Sequence, residues 1–329
     1  MHYAGDICWN TQENQIKLGS WNFNAIRLGD IDLYQDFIQN SEHPTTLWSS
    51  NFAYLWSISQ SRFKTLLWRI TDDMLVTFVH TNNNCLYLMC LPYGKGTPEK
   101  VVNVVYQCMK YCAQWNAPNS CETKLRMIND SQRFFLEQKP SFNQLFEFSR
   151  PLGYECHYGV QNLLNLQGQE FQRVRGRVNK FKKDYPQTRV GNYLPSDYND
   201  LMLLNDEWEK TTGQKYKHIF DTVYYPEILK HHDQLQQLVL LVEIDSRIVG
   251  MISGGVLPNG QSWACLCKAL IEFDGLSEFL VIELVRAIHS INPAVETMND
   301  GGNLTKGLKA FKEKFRPVLS LRRYRVLLK

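Results

Sequence analysis

The chain has 329 residues, of which 44% are hydrophobic, 21% charged and 12% aromatic, a composition that excludes a disordered polymer and suits two domains of ordinary size. Its longest purely aliphatic run, Leu238 to Val242, is far short of the ~20 apolar residues of a membrane span. MHYAGDICWNTQENQ lacks the basic start and apolar centre of a secretory signal, so a cytoplasmic chain with no transmembrane segment is expected. The net charge of +3 hides an asymmetry: six cations lie between Arg173 and Lys183, and nine face the single acid Glu313 after Leu304, so the remainder is net acidic. Two basic segments on an acidic chain point to a polyanionic ligand.

In chain order, IDLYQDFIQN and SNFAYLWSISQSR predict two short helices. FKTLLWRI (63–70), MLVTFVH (74–80) and CLYLMCL (85–91) predict an antiparallel meander punctuated by Asp72-Asp73 and Asn82 to Asn84. After the break at PYGKG, VVNVVYQCMKYCAQW (101–115) has helical spacing, followed by the strand ETKLRMI and the helix SQRFFLEQ. The stretch from GYECHYGV onward reads as a connection. The second half repeats the order, with helices at 196–211 and near 223–233, then strands at 238–244, 247–257 and 263–270. The amphipathic helix 276–291, VETM, a helix at 304–314 and the strand PVLSLRRYRVLL complete it. The expectation is an α/β (α+β) protein of two halves, 1–155 and 156–329, each with a mixed, mainly antiparallel sheet flanked by helices. Periodicity alone gives two similar α/β halves, and their layout resembles a GNAT-type acyltransferase unit present twice.

Nine cysteines, an odd number scattered through these elements, predict reduced and packed thiols rather than a disulfide framework. Cys108 and Cys112 share a helix face, but lack the spaced His or Cys partners that zinc requires.

Between Gln169 and Lys183, Phe171, Val174, Val178 and Phe181 make one apolar stripe. Arg173, Arg177 and Lys180 lie beside it, with Arg175 and Lys182 on the other flank, and guanidinium groups so fixed suit bidentate phosphate contacts. Near the C-terminus Lys309, Lys312 and Arg316 share one helical face, while Phe311 and Phe315 form the anchoring side. No G-x-S-x-G elbow, Walker loop or metal-ligand cluster accompanies them.

HYGVQNLLNLQGQEFQRVRGRVNKFKKDYP resembles the opening of the phosphatidylglycerol lysyltransferase C-terminal domain family, through Leu166, Gly168, Phe171, Arg175, Asn179 and Phe181. NLTKGLKAFKEKFRPVLSLRRYRV resembles its other hallmark, through Gly307, Leu308, Phe311, Lys312, Lys314, Phe315, Pro317, Arg323 and Tyr324, and Lys268-Ala269 is a weaker echo. The resemblance spans roughly 25 to 328. It implies a tandem GNAT-like fold, similar to lysyl-phosphatidylglycerol synthases and Fem-type transferases. It implies transfer of an amino acid from charged tRNA directly to a lipid or peptide acceptor, with no cofactor beyond that donor.

From motifs and charge together, Lys312 and Lys268 are the candidate catalytic residues, Lys312 as oxyanion or phosphate stabiliser. Arg173, Arg175, Arg177, Asn179, Lys180, Lys309, Lys314, Arg316 and Arg323 are the candidate substrate-binding residues, with Arg175, Lys180, Lys312 and Arg316 expected in one positive groove. The expected partner is charged tRNA or another polyanion; the acceptor is left open and includes an anionic lipid head group, which would place the protein at the membrane periphery. Two alternatives stand beside this reading. An acyl-CoA-dependent N-acetyltransferase would cradle a pyrophosphate on a Gly-rich loop at a helix N-terminus. KALIEFDGLSEFL offers one Gly there and adds Glu272 and Asp274, while PYGKGTPEK is the better cradle. The other alternative is a noncatalytic module that binds RNA or anionic lipid.

Overall fold

The computed structural model describes residues 15–216, 224–257, 259–303 and 305–329. It opens with a hairpin absent from the sequence-based expectation, β1 (Gln15–Leu18) and β2 (Trp21–Ala25), followed by α1 (Ile31–Gln39) and α2 (Phe52–Ser59). The meander β3 (Lys64–Thr71), β4 (Met74–Thr81) and β5 (Leu86–Leu88) comes next. Asp72 and Asp73 join β3 to β4 with φ of 48° and 59°, the left-handed pair that matches the twist of a two-residue hairpin. α3 (Pro98–Asn116) starts at Thr97, whose hydroxyl accepts the Lys100 N–H, and Pro98 sits in its first turn. β6 (Lys124–Asn129), α4 (Asp130–Glu137), α5 (Phe142–Leu145) and β7 (Phe146–Phe148) follow.

The expected connection instead contains β8 (Tyr154–Gly159) and α6 (Val160–Asn165). β8 escapes periodicity because two of its buried residues are Glu155 and His157. α7 (Gln172–Asp184), the short edge strand β9 (Arg189–Asn192), α8 (Tyr198–Thr211) and α9 (Tyr224–Lys230) lead into β10 (Leu238–Ile244), β11 (Arg247–Val256) and β12 (Ser262–Ala269). α10 (Leu276–Ile291), β13 (Thr297–Gly302), α11 (Lys306–Glu313) and β14 (Leu319–Leu328) complete the chain. Residue 223 of the helix expected near 223–233 and Leu304 of that expected at 304–314 lie outside the described residues.

Among the described residues the strands lie in the order β1-β2-β3-β4-β5-β6-β14-β8-β13-β12-β11-β10-β9, with β7 beside β14. Neighbours are antiparallel except β5 with β6 and β12 with β13, each parallel pair being joined through the long helix between its strands. These two pairs touch only briefly, at Leu88 and Leu125 in one and at Ser262–Met298 and Trp263–Asn299 in the other. Beyond those contacts the strands diverge and each sheet opens into a V. β14 connects the sheets: residues 319–322 pair with β8, and residues 323–327 pair with β6. Residues 155 and 156 therefore lie inside β8, and the final strand serves sheets on both sides of that point.

One core is formed by Phe23, Val76, Phe78, Val105 and Tyr324 in the first sheet. The larger core mixes Tyr34, Leu55 and Trp56 of α1 and α2 with Val174, Leu280 and Phe315, so the halves share apolar surface. The segment before α2 is stitched to the second sheet by polar groups. Trp48 Nε1 donates to the Ala264 carbonyl at 2.5 Å, Asn299 Nδ2 to the Thr46 carbonyl at 2.5 Å, and the Trp48 N–H to Glu155 at 3.1 Å.

The expectation of reduced thiols needs one correction: Cys85 and Cys121 form a disulfide. They stand just ahead of β5 and β6, whose parallel pairing brings their starts together, a long-range juxtaposition that cysteine spacing does not reveal. Titration of thiols in the unfolded chain is expected to yield two fewer before reduction than after it.

Glu155 and His157 predict an opposed pH dependence. Burial, against the pull of Arg323, pushes the Glu155 carboxyl from 4.5 up to about 7, and burial pushes the His157 imidazole from 6.5 down to about 4. Between 4.5 and 7 the folded chain holds a proton on Glu155 that the unfolded chain releases, so this contribution to stability falls as pH rises. Between 4 and 6.5 the unfolded chain protonates His157 and the folded chain does not, so that contribution grows as pH rises. Each amounts to about 3 kcal/mol, and they offset one another where the windows overlap. Urea unfolding of Glu155→Gln should therefore show a gain of about 3 kcal/mol between pH 4 and 6.5 that the wild type lacks; equal profiles would refute the pairing.

Candidate active site

The V between β12 and β13 gathers chemistry from four elements. β12 carries one extra residue against β11, since Gly254 faces Ala264 while Ile252 faces Cys267, and the bulge is held by the Leu266 N–H on Ser253 Oγ at 3.2 Å. Just past it, Cys267 is exposed to solvent. Its thiol nonetheless lies deep among protein atoms: burial, then the Asp300 carboxylate, pushes it up to about 12. A water-accessible group surrounded by protein marks the floor of a recess. Glu278, Lys268 and Lys312 are its other charged neighbours.

Lys312 enters this recess from α11, which is capped by Thr305 Oγ1 accepting the Leu308 N–H at 3.1 Å. The ammonium donates to the Asp300 backbone carbonyl and lies 3.3 Å from the Asp300 carboxylate. The other partner of that carboxylate is Tyr158 on β8, whose hydroxyl donates at 2.7 Å. Burial, then Asp300, holds the Tyr158 phenol well above its usual range, so it stays a donor. Phe315 is fully buried, 5.3 Å from the Tyr158 ring and 5.2 Å from Phe311. The aromatic side of α11 thus fixes Lys312, as the helical spacing leads one to expect.

At the mouth of the V, the N-terminus of α10 is occupied by acids. Asp274 accepts from Arg177 at 2.5 Å and Lys180 at 3.2 Å, and the buried Glu278 pairs with Lys314 at 2.8 Å and Arg177 at 3.6 Å. Lys180, with Arg177 behind it, holds the Asp274 carboxyl below its usual range. Gly275 makes the approach of α7 possible: its φ is 91°, and a Cβ there would lie 2.5 Å from the Arg177 carbonyl oxygen.

The family model for phosphatidylglycerol lysyltransferase, C-terminal, matches residues 48–327. The chain belongs to that family. A conserved protein of unknown function from Bacteroides thetaiotaomicron VPI-5482 superimposes with a TM-score of 0.79 at 20% identity, over 93% of this chain and 99% of that one. The C-terminal domain of a protein named as a lysylphosphatidylglycerol synthetase, from Agrobacterium fabrum, gives 0.61 at 14% identity, over 91% of each chain. FemX gives 0.64 at 11% identity, over 91% of this chain and 96% of that one. No curated protein sequence matches. The fold is the tandem GNAT-like one expected from the sequence, and the family is one of acyltransferases.

The residues that carried the family resemblance do not converge on one groove. Arg175 donates to the carbonyls of Leu166 and Gly168, at 3.2 Å for the latter, and so closes the left-handed turn ahead of α7. Arg316 donates through Nε to the Glu170 carbonyl at 3.2 Å. Lys309 is paired with Glu313 at 3.5 Å on the exposed side of α11, and Arg173 and Asn179 are exposed on α7. Two of the candidates lie away from the groups gathered around Asp300. Lys268 is fully buried with its ammonium 3.5 Å from the Trp208 ring centroid, on the side of β12 opposite Cys267. Arg323 donates to the Leu152 carbonyl at 3.0 Å and packs against Gly302, at the junction of the sheets rather than in the V. Asp300, Tyr158 and Glu278 were missed. Only Glu278, three residues past the helix-opening Gly275, carried a local signal.

The Glu278 pair supplies a stability test. Removing one member of a buried ion pair costs about 3 kcal/mol because the other charge is stranded. Lys314→Met leaves the buried Glu278 with Arg177 at 3.6 Å as its remaining ion-pair partner among the described residues and is expected to lose up to about 3 kcal/mol in denaturant unfolding, and the double variant Glu278→Gln/Lys314→Met to recover most of that loss.

Proposed function

We propose that the protein moves an aminoacyl group from charged tRNA to an amine or hydroxyl acceptor by direct transfer. The observation that carries this reading is the acid-filled N-terminus of α10. An acyl-CoA enzyme of this fold needs free N–H groups and a favourable dipole there for the pyrophosphate. Here Asp274 and Glu278 already hold that position, tied to Arg177, Lys180 and Lys314. An incoming diphosphate would meet two carboxylates. The corresponding loop of the first half offers little more, since the Gly94 N–H already donates to Ser41 Oγ at 2.8 Å. An aminoacyl ester on RNA is activated without such a cradle, and its phosphates can be met across a broad surface.

In this reading the acceptor attacks the ester carbonyl in the V. A bond forms from acceptor nitrogen or oxygen to the carbonyl carbon, the ester C–O bond breaks, and the acceptor's proton ends on the departing ribose oxygen. Lys312 sits where its ammonium can meet the tetrahedral oxyanion, pre-oriented by Asp300 and, through it, Tyr158. Cys267, pushed up to about 12, stays a thiol at neutral pH, which favours direct transfer over a thioester. No cofactor is invoked. No helix among the described residues is long and apolar enough to cross a membrane, so a lipid acceptor would be met at a surface.

The test is a transfer assay with tRNA charged with labelled amino acids, run beside labelled acetyl-CoA, on lipid and peptide extracts. Label is expected to leave tRNA for an extractable acceptor, with tRNA binding that weakens steeply with salt. Lys312→Ala should lower the rate by about a hundredfold or more, the usual loss of an oxyanion donor, with its melting temperature checked in parallel. Transfer from acetyl-CoA without tRNA dependence would overturn the proposal.

A further inference from the structure

The backbone that carries Asp300 is irregular, and the irregularity is held from a distance. Between Asn299, which faces His157, and Gly302, which faces Glu155, β13 has one residue more than β8, and a bulge of this kind re-aims the side chain within it. Here that side chain is Asp300, the partner of Lys312. The Asn299 side chain closes the bulge, its Oδ1 accepting the Gly301 N–H at 2.8 Å. Gly301 has a φ of 67°, and a Cβ on it would lie 3.3 Å from the Trp48 ring, so that ring is seated on the bulge.

Both holders of the bulge meet at one carboxyl. Glu155 is fully buried, on the face of β8 opposite Tyr158. Its Oε1 accepts the Trp48 N–H at 3.1 Å and its Oε2 accepts Asn299 Nδ2 at 3.4 Å. One route therefore runs from Glu155 through the amide that closes the bulge, and a second through the residue whose ring rests on it. As a carboxylate, Glu155 meets both N–H groups with charged acceptors; a proton on either oxygen makes a donor that faces donors. Burial, against the pull of Arg323 on β14, places the loss of that proton at about 7. Arg323 in turn feels Arg126 and Tyr54, and Asn129 reaches Glu155 as a further neutral donor. His157, next along the same face, is pushed down to about 4 and Cys156 is pushed up by burial, so both keep one charge state while Glu155 titrates.

We propose that Glu155 is a positioning residue for the cleft: its carboxylate holds the Asp300 bulge and so sets how firmly Lys312 is oriented. It touches neither Lys312 nor the reacting atoms, and its effect on rate, though not the coupling itself, rests on the transfer reading.

The test uses the full chain labelled with fluorotryptophan, the Trp48 resonance being identified by its loss in Trp48→Phe. That resonance is expected to shift with a midpoint of about 7 in the wild type and to stay fixed in Glu155→Gln, which keeps the shape and cannot ionise. At about pH 8, acetylation of Lys312 by an activated ester, read by mass spectrometry against the exposed Lys110, should be several-fold faster in Glu155→Gln, with its melting temperature checked in parallel. In the transfer assay kcat should rise through about pH 7 in the wild type, and in Glu155→Gln it should lose that step and fall about tenfold at about pH 8 with KM little changed. The proposal is overturned if the Trp48 resonance does not titrate, if it titrates equally in Glu155→Gln, or if Lys312 reacts alike in both proteins. Absence of any transfer alongside the expected resonance and labelling results would count against the transfer reading and support the coupling.

Discussion

β14 is hydrogen-bonded to β8 along residues 319–322 and to β6 along residues 323–327, and this shared strand is the constraint on which the remaining geometry rests. Each sheet is completed by residues from the far end of the chain. The clamp to the first half is polar as well as backbone: Asp130, opening α4, accepts from the Arg322 side chain at 3.2 Å and the Tyr324 hydroxyl at 2.9 Å. α11 immediately precedes β14, so the pairing that joins the sheets also fixes the helix that carries Lys312. Pairings of such sequence separation form late and close large loops, which makes assembly of the site a consequence of completing both sheets.

The basic asymmetry of the sequence resolves, in three dimensions, largely into internal compensation. Arg177, Lys180 and Lys314 surround two acids, and Arg175 and Arg316 spend their donors on backbone carbonyls. Exposed pairs of this kind contribute little to stability. Glu278 is different: it is buried, so the cations around it are a requirement of its burial rather than surplus charge offered to a ligand. The helix dipole at the start of α10 favours the same acids. One local decision, carboxylates at that N-terminus, therefore ties α7 to α10, orders the mouth of the cleft and disfavours a diphosphate.

What the sequence made legible follows from how local each signal is. β10 and α10 were read to the residue because β-rich or amphipathic runs are bounded there by turn residues, and Asp72-Asp73 did mark a tight hairpin. β8 was not legible, because burial of Glu155 and His157 erases the apolar alternation, and the Glu155 carboxyl is met by partners on β13 and in the segment before α2. Lys312 was accessible from its spacing to Phe311 and Phe315. The burial of Lys268 over Trp208 was not legible, since it depends on where α8 packs. Asp300 and Tyr158 acquire their role only when β13 lies against β8, a relation no local pattern contains.

The V between β12 and β13 has its charge arranged in advance, which bears on what it can do. Lys312 is held by Asp300, and through it by Tyr158, before any ligand arrives. An ammonium already desolvated and oriented stabilises a developing oxyanion without the reorganisation that a mobile lysine would need. The cost is that Asp300 shares part of its charge, which suits transient charge in a transition state better than tight binding of a stable anion.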